Sequence, residues 1–208
     1  ATPIFVNAES RGYYFTEYSP TMVHALARSA STLDAVERLS LIGVEWWMVR
    51  AGRHDAGIYL DLASALANDN TSATLGMLAG RLEVIGDDLV SSTDQPAYQA
   101  WIRATFGPQL TGMGLPGNTG DSDEMELRRA TLLSLLGHVG NDREIQKRSR
   151  ELAASYLKDP RSLPATLPPT VLQVAALDGD QTLYEQYMGK LGTLAAQPEE
   201  YYRFLGAL

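Results

Sequence analysis

The sequence contains no cysteine, which excludes disulfide bridges and thiolate metal ligands from this chain. It also lacks an uninterrupted apolar run of the roughly 18 residues that a membrane-spanning helix needs. Acidic residues outnumber basic ones, with 25 Asp and Glu against 17 Lys and Arg, and the formal net charge is −8. Nucleic acids and anionic lipid surfaces attract proteins with a basic excess, so both classes of partner are disfavoured.

Histidine is scarce, and the three histidines, His24, His54 and His138, lie far apart in the sequence. Many zinc peptidases carry the pattern HExxH, because histidines at i and i+4 share one face of a helix. That pattern is absent, and so is the G-x-S-x-G motif that places the nucleophile of many serine hydrolases. We therefore predict no catalytic residue, no cofactor-binding residue and no metal ligand in this chain.

Apolar residues recur with a helical period over most of the chain. The clearest example is residues 33–52, where steps of three or four residues place apolar side chains on one helix face. Its members are Leu33, Val36, Leu39, Ile42, Trp46 and Val49. Leu41, Val44 and Trp47 widen the apolar arc of this segment. We expect neighbouring helices to cover it on two sides and to bury both Trp46 and Trp47.

The same period predicts about ten antiparallel helices joined by short turns. They cover approximately residues 20–30, 33–52, 55–67, 71–90, 95–106, 122–139, 141–157, 169–177, 181–191 and 199–208. Successive pairs begin roughly 35 to 45 residues apart, which is typical of HEAT-like arrays. Residues 107–121, rich in glycine and proline, are predicted to form a loop. The expected fold is therefore all-α, an α–α superhelix of the HEAT/ARM type.

Residues 1–18 differ from the rest of the chain in composition. The stretches 4–6 and 12–18 are aromatic and β-branched and flank a turn-prone segment, so we predict a short β-hairpin. Because an isolated hairpin is marginally stable in water, we interpret it as part of a sheet whose other strands are missing. The helical domain then covers residues 19–208, and its apolar ending predicts a domain truncated at its C-terminal end.

Several short stretches, taken in order, carry a resemblance to one enzyme family. They are Asn7, Gly12-Tyr13-Tyr14 and Tyr18 for "N…GYYR…Y", residues 37–52 for "R…LI…A…AG", residues 112–128 for "LGW…E…LR", and residues 203–208 for "fL.AL". This ordered set resembles the C-terminal part of the M1 zinc aminopeptidases of the puromycin-sensitive aminopeptidase and aminopeptidase N type. Phe15 departs from the family pattern, which has arginine there, and Gly43-Val44 stands where an acidic residue is usual.

The resemblance implies a non-catalytic helical domain that encloses the substrate chamber and contributes to peptide access and selection. It implies as partners the catalytic domain of the same parent protein and a peptide substrate. Zinc would lie in the missing catalytic domain, on an HExxH helix. The hairpin over residues 1–18 would be the remnant of a preceding β-sandwich domain. The alternative interpretation is a free-standing helical-repeat scaffold that binds another protein.

One set of charged residues is a candidate contact surface. Arg143, Lys147 and Arg150 recur at i, i+4 and i+7 and would form a basic strip on one helix face. This strip would contact a peptide carboxylate or an acidic surface of the parent enzyme. The alternative is a solvated face whose charges pair with Glu144 and Glu151.

Overall fold

The computed structural model describes residues 3–118 and 120–208, and within them it contains ten α-helices and no strand. The helices are α1 Pro20–Arg28, α2 Ala35–Arg50, α3 Ala56–Ala65, α4 Ser72–Val84, α5 Gln95–Met113, α6 Asp123–Ser134, α7 Arg143–Lys158, α8 Pro168–Ala176, α9 Gln181–Thr193 and α10 Pro198–Leu205. Helices α4 and α6 each end in a wider helical turn, Ile85–Leu89 and Leu135–Val139. The all-α prediction is confirmed.

The chain divides into two compact units, Ala1–Val90 and Ser91–Leu208. In the first unit, α1 packs against α3, and α2 packs against α3 and α4. In the second, α7 packs against α8, while α8 also contacts α6 and α10. Helices therefore contact both their neighbour in sequence and the helix two places away, which is how stacked helix pairs share one core.

Helix α2 begins at a capping box whose N-cap residue is Asp34. The Glu37 backbone N–H donates to Asp34 Oδ1 at 2.8 Å, and the Asp34 N–H donates to Glu37 Oε2 at 3.1 Å. Two backbone donors that the first helical turn cannot pair are thereby satisfied. The chain leaves the helix at Gly52, whose φ of 66° is in the left-handed region that favours glycine.

The two adjacent tryptophans of α2 have different environments. Trp46 is 5% exposed, and its ring meets Tyr59 of α3 edge to face with 5.6 Å between centroids. The Arg81 guanidinium lies 5.5 Å from the centroid of the same ring. Trp47 is 49% exposed, so the prediction of burial is confirmed for Trp46 and wrong for Trp47. Successive side chains on a helix point about 100° apart, so Trp46 lies on the covered side of α2 while Trp47 lies beyond its edge.

The predicted hairpin over residues 1–18 is wrong for the described residues 3–18, which contain no strand. Side chains occupy the backbone groups that a strand ladder would use. The Asn7 side chain donates to Gly12 O at 3.0 Å and accepts from the Gly12 N–H at 2.7 Å. The Val6 N–H donates to the Tyr18 hydroxyl at 3.0 Å. The segment is folded by local side-chain hydrogen bonds, which compete with secondary structure.

The predicted loop over residues 107–121 is shorter than expected, because α5 continues to Met113. Tyr98, Ile102, Phe106 and Leu110 form one buried stripe spaced by four residues. Pro108 lies in the exposed part of this helix. Burial of the apolar stripe thus keeps the helix intact past a residue that usually ends it.

Arg129 of α6 organises the remaining loop. Its side chain is fully buried, and Nε donates to Gly114 O at 2.9 Å while Nη2 forms an ion pair with Asp121. A Cβ at Gly117 would lie 2.2 Å from the Arg129 Cζ, so the loop needs glycine for this close approach. A hydrogen bond from the Asn118 N–H and the bond from Arg129 hold the pKa of Asp121 below its usual value.

We predict that Trp46→Ala lowers the free energy of unfolding by about 3–5 kcal/mol, because it empties a large buried site between α2 and α3. Trp47→Ala is the matched control and should cost only about 1 kcal/mol, since this ring is half exposed. Urea unfolding followed by circular dichroism measures both. Equal losses for the two variants would contradict the assignment of Trp46 to the core.

Candidate functional site

The structure places the predicted basic strip, Arg143, Lys147 and Arg150, on α7. The two arginines turn toward the connection between α8 and α9. Arg143 Nη1 lies 3.5 Å from Asp178 Oδ1, and Arg150 Nη2 lies 2.7 Å from Asp180 Oδ2. Arg150 also donates through Nη1 to the Asp178 backbone carbonyl at 2.6 Å. Both guanidinium groups therefore fasten α7 to the turn that precedes α9.

Lys147 and Arg143 are both exposed, and the Arg143 side chain is 67% exposed despite its ion pair, whereas the Arg150 side chain is 35% exposed. The pairing of the strip with Glu144 and Glu151 does not form as expected, since Glu151 instead pairs with Arg148 at 2.7 Å. The partners of the two arginines come from about 30 residues further along the chain. Lys147 and the largely exposed Arg143 are therefore the two cations of the strip that an external carboxylate can reach. Contact with a peptide stays a prediction for this strip.

We call the contact of Arg143 and Arg150 with the α8–α9 turn the clamp, and Asp180 has two roles in it. As the N-cap of α9, its carboxylate accepts from the Leu183 N–H at 2.9 Å, and it also pairs with Arg150. The bond from the Leu183 amide, and after it the bond from Arg150, lower the pKa of Asp180 from its ordinary value. Charge at a helix N-terminus adds to this effect, because the helix dipole favours an anion there.

An apolar cavity of about 540 Å³ lies in the first unit, between the N-terminal segment and one face of α2. We call it the aromatic groove and define it by Tyr13, Tyr14, Phe15, Val44 and Trp47. In this groove the Phe15 ring meets the Trp47 ring edge to face, with 5.8 Å between the centroids and 63° between the ring planes. The four aromatic side chains are strongly exposed: Trp47 and Tyr14 are about half exposed, Phe15 is 67% exposed, and Tyr13 is fully exposed. Such a cluster is unusual on a free surface.

Small residues shape this groove. Gly43 of α2 has open space where a Cβ would be, and Gly12 approaches Tyr14 so closely that a Cβ would lie 2.1 Å from its ring. Gly43, Val44 and Phe15 are the positions where the sequence departs from the M1 pattern of arginine and acid. All three line the aromatic groove. Residues without charge therefore line the groove at the positions where the family pattern has an arginine and an acidic residue.

The histidines make local contacts. His54 is buried against Glu45 of α2, with Nδ1 2.8 Å from Oε1, while His24 Nε2 lies 3.1 Å from Asp61 Oδ2. Burial raises the pKa of Glu45, and the hydrogen bond from His54 opposes that shift. In the part of the chain that the structure describes, no three His, Asp or Glu side chains are grouped as metal ligands. None of the helices described there is long and apolar enough to cross a membrane.

Each unit is thus built of packed helices, and the first carries the exposed aromatic groove while the second carries the clamped turn. The sequence model of the ERAP1-like C-terminal domain matches residues 3–208, and the chain belongs to this family. Aminopeptidase N of Lactococcus lactis subsp. lactis is 24% identical over 136 residues, which are 63% of this chain and 16% of that protein. Aminopeptidase N of Plutella xylostella is 23% identical over 141 residues, which are 66% of this chain and 15% of that protein. The matched stretch thus spans less than a fifth of either relative.

The clamp predicts a pH dependence of stability. Because the folded pKa of Asp180 is lowered, its charge stabilises the fold above the unfolded value of about 3.9, and this contribution is lost as the pH falls through the folded value. Asp180→Asn keeps an N-cap side chain and removes the charge. We expect it to lower the free energy of unfolding at pH 6–7, relative to the unaltered chain, by an amount that decreases as the pH falls below the unfolded pKa of about 3.9.

Urea unfolding across this pH range measures the difference. Arg150→Met is the matched partner variant, and the double variant closes the thermodynamic cycle, which isolates the pair from other effects of each substitution. A loss at Asp180→Asn that stays the same from pH 7 to pH 3 would contradict the role of the charge.

Proposed function

We propose that this chain is the non-catalytic C-terminal domain of a zinc-dependent aminopeptidase, and that it encloses the substrate chamber of that enzyme. The family match and the two relatives named aminopeptidase N support the activity of the parent protein. Zinc and the catalytic residues belong, in this proposal, to the preceding catalytic domain of the same polypeptide. The helical domain contributes a wall that controls peptide access and selection.

The aromatic groove is the observation that carries the proposal. Large exposed apolar patches on soluble proteins mark surfaces that contact another protein, a membrane or a ligand, and we propose the first of these here. Tyr13 and Phe15 are contributed by the N-terminal segment and Trp47 by α2, so the groove lies where a preceding domain would join the helical array. We infer that the preceding part of the polypeptide covers this groove. Covalent linkage raises the effective concentration of that partner and favours the contact.

The basic strip supplies a candidate peptide contact. Arg143 and Arg150 are engaged with the α8–α9 turn, so Lys147 is the residue we propose to meet a peptide carboxylate or an acidic surface of the parent enzyme. An exposed single ion pair contributes little to affinity, about 1 kcal/mol or less, so this contact tunes selection and does not dominate binding.

We predict that the pure 208-residue chain binds no zinc and hydrolyses no aminoacyl substrate, whereas the full-length polypeptide does both. Zinc content by mass spectrometry and release of a chromogenic amide measure the two properties. Chelator-sensitive turnover by the 208-residue chain would contradict the proposal. An upstream reading frame without HExxH and a later zinc-binding Glu would favour the free-standing scaffold.

The same assay on the full-length polypeptide tests the strip. Lys147→Glu should raise KM for peptides several-fold with kcat little changed, because it alters binding and leaves the catalytic groups in place. Lys158→Glu, at the exposed end of the same helix, is the control for a general charge effect. Equal kinetic changes for the two variants would remove Lys147 from the proposed contact.

A further inference from the structure

A cation lies against one wall of the aromatic groove. Arg50 is in the last turn of α2, and its guanidinium carbon is 5.4 Å from the centroid of the Trp47 ring. This is a cation–π contact. Trp47 lines the groove and also meets Phe15, so one ring joins the apolar cavity to a positive charge at its edge. Arg50 is itself exposed.

The charge of Arg50 is not neutralised by this chain. Within residues 3–118 and 120–208, no carboxylate forms an ion pair with it. Two acidic residues of the same region are engaged elsewhere, because Glu17 pairs with Arg53 and Glu45 is buried against His54. In the isolated chain, water is therefore the solvent of this guanidinium group.

The position of Arg50 on the helix explains its charge but not its contact with the ring. A basic residue in the last turn is favoured by the helix dipole. Arg28 has the same position on α1 and is also exposed. In the part of the chain that the structure describes, no aromatic ring lies against Arg28 as Trp47 lies against Arg50. The cation–π contact thus belongs to the groove and is not a general property of these helix ends.

This arrangement restricts what can cover the groove. A surface that packs on Trp47 also removes water from Arg50, because the guanidinium lies on the same ring. A guanidinium that loses its water without gaining a carboxylate is strongly unfavourable. A wholly apolar partner is therefore disfavoured, and a partner with a carboxylate at this edge is selected. Exclusion of water strengthens the cation–π contact as well.

We propose that the preceding domain covers the aromatic groove with apolar side chains and presents an Asp or Glu side chain to Arg50. The proposal rests on the proposed function, and it names the chemistry of the covering surface. A guanidinium can bind a carboxylate through two parallel N–H bonds, which fixes the orientation of the pair. Arg50 then determines the register in which the two domains dock, while the rings of the groove supply the buried area.

Zero-length crosslinking of the full-length polypeptide tests the proposal. A carbodiimide activates a carboxylate, and a lysine amine in contact with it forms an amide bond as the urea leaves. The three lysines of this chain, Lys147, Lys158 and Lys190, all belong to the second unit, so Arg50→Lys introduces an amine that is unique in the first unit. We expect an amide bond from position 50 to an Asp or Glu of the preceding domain, identified by peptide mass spectrometry.

Arg28→Lys is the matched control, because Arg28 is also exposed in a last helical turn. Its coupling to the preceding domain should be several-fold weaker or absent. Equal coupling from positions 28 and 50, or none from position 50 to the preceding domain, would overturn the proposal. Coupling from position 50 only between separate molecules would overturn it in favour of a second copy.

The proposed function fails by different results. A photocrosslink from position 15 to the preceding domain, without carbodiimide coupling at position 50, removes the acidic partner of Arg50 alone. Coupling at position 50 in a full-length polypeptide without aminopeptidase activity removes only the proposed function. Absence of both crosslinks removes both.

Charge reversal gives a second measurement. Arg50→Glu should lower the melting temperature of the full-length polypeptide by several degrees, because it places two negative charges together in a covered contact. The 208-residue chain loses only the dipole and ring contacts of Arg50, so its shift should be smaller. Arg28→Glu should shift both proteins equally. Equal shifts of the two proteins for Arg50→Glu would overturn the proposed pair.

Discussion

The structure depends on the burial of apolar arcs that no single helix can cover by itself. Helix α2 needs α3 and α4 to shield Trp46, and α8 needs the helices on either side of it. The same requirement explains the exposed surfaces. The aromatic groove is a place where the apolar arc of α2 continues past its last neighbour, at a cost of about 25 cal/mol for each Å² of apolar surface left in water. The core and the exposed apolar groove therefore have the same origin, which is that a helix needs neighbours to bury its apolar arc.

Much of the helical architecture could be predicted from the sequence, because the period of apolar residues is a local property. Steps of three or four residues place Ile42 and Trp46 on one face wherever the segment lies in the fold. The ordered resemblance to M1 aminopeptidases likewise identified the family that the match over residues 3–208 shows. The period could also have revealed that α5 passes Pro108, since Leu110 continues a buried stripe spaced by four.

The remaining features depend on contacts between distant residues. Nothing near Arg150 in the sequence indicates that Asp180 pairs with it, and Phe15 is far from Trp47 along the chain. The hairpin prediction failed because β-propensity cannot anticipate that the Asn7 amide takes both backbone groups of Gly12. The departures from the M1 pattern were the one signal for the aromatic groove, because they replace charge with apolar surface on both of its sides.

Photocrosslinking from the aromatic groove tests the central claim most directly. The photoreactive residue p-benzoylphenylalanine at position 15 of the full-length polypeptide replaces one exposed ring by another, next to Trp47. The account predicts an intramolecular crosslink from position 15 to residues of the preceding domain, identified by peptide mass spectrometry. Crosslinks that reach only separate protein molecules, or none to the preceding domain, would contradict the claim that this groove joins the helical array to a peptidase.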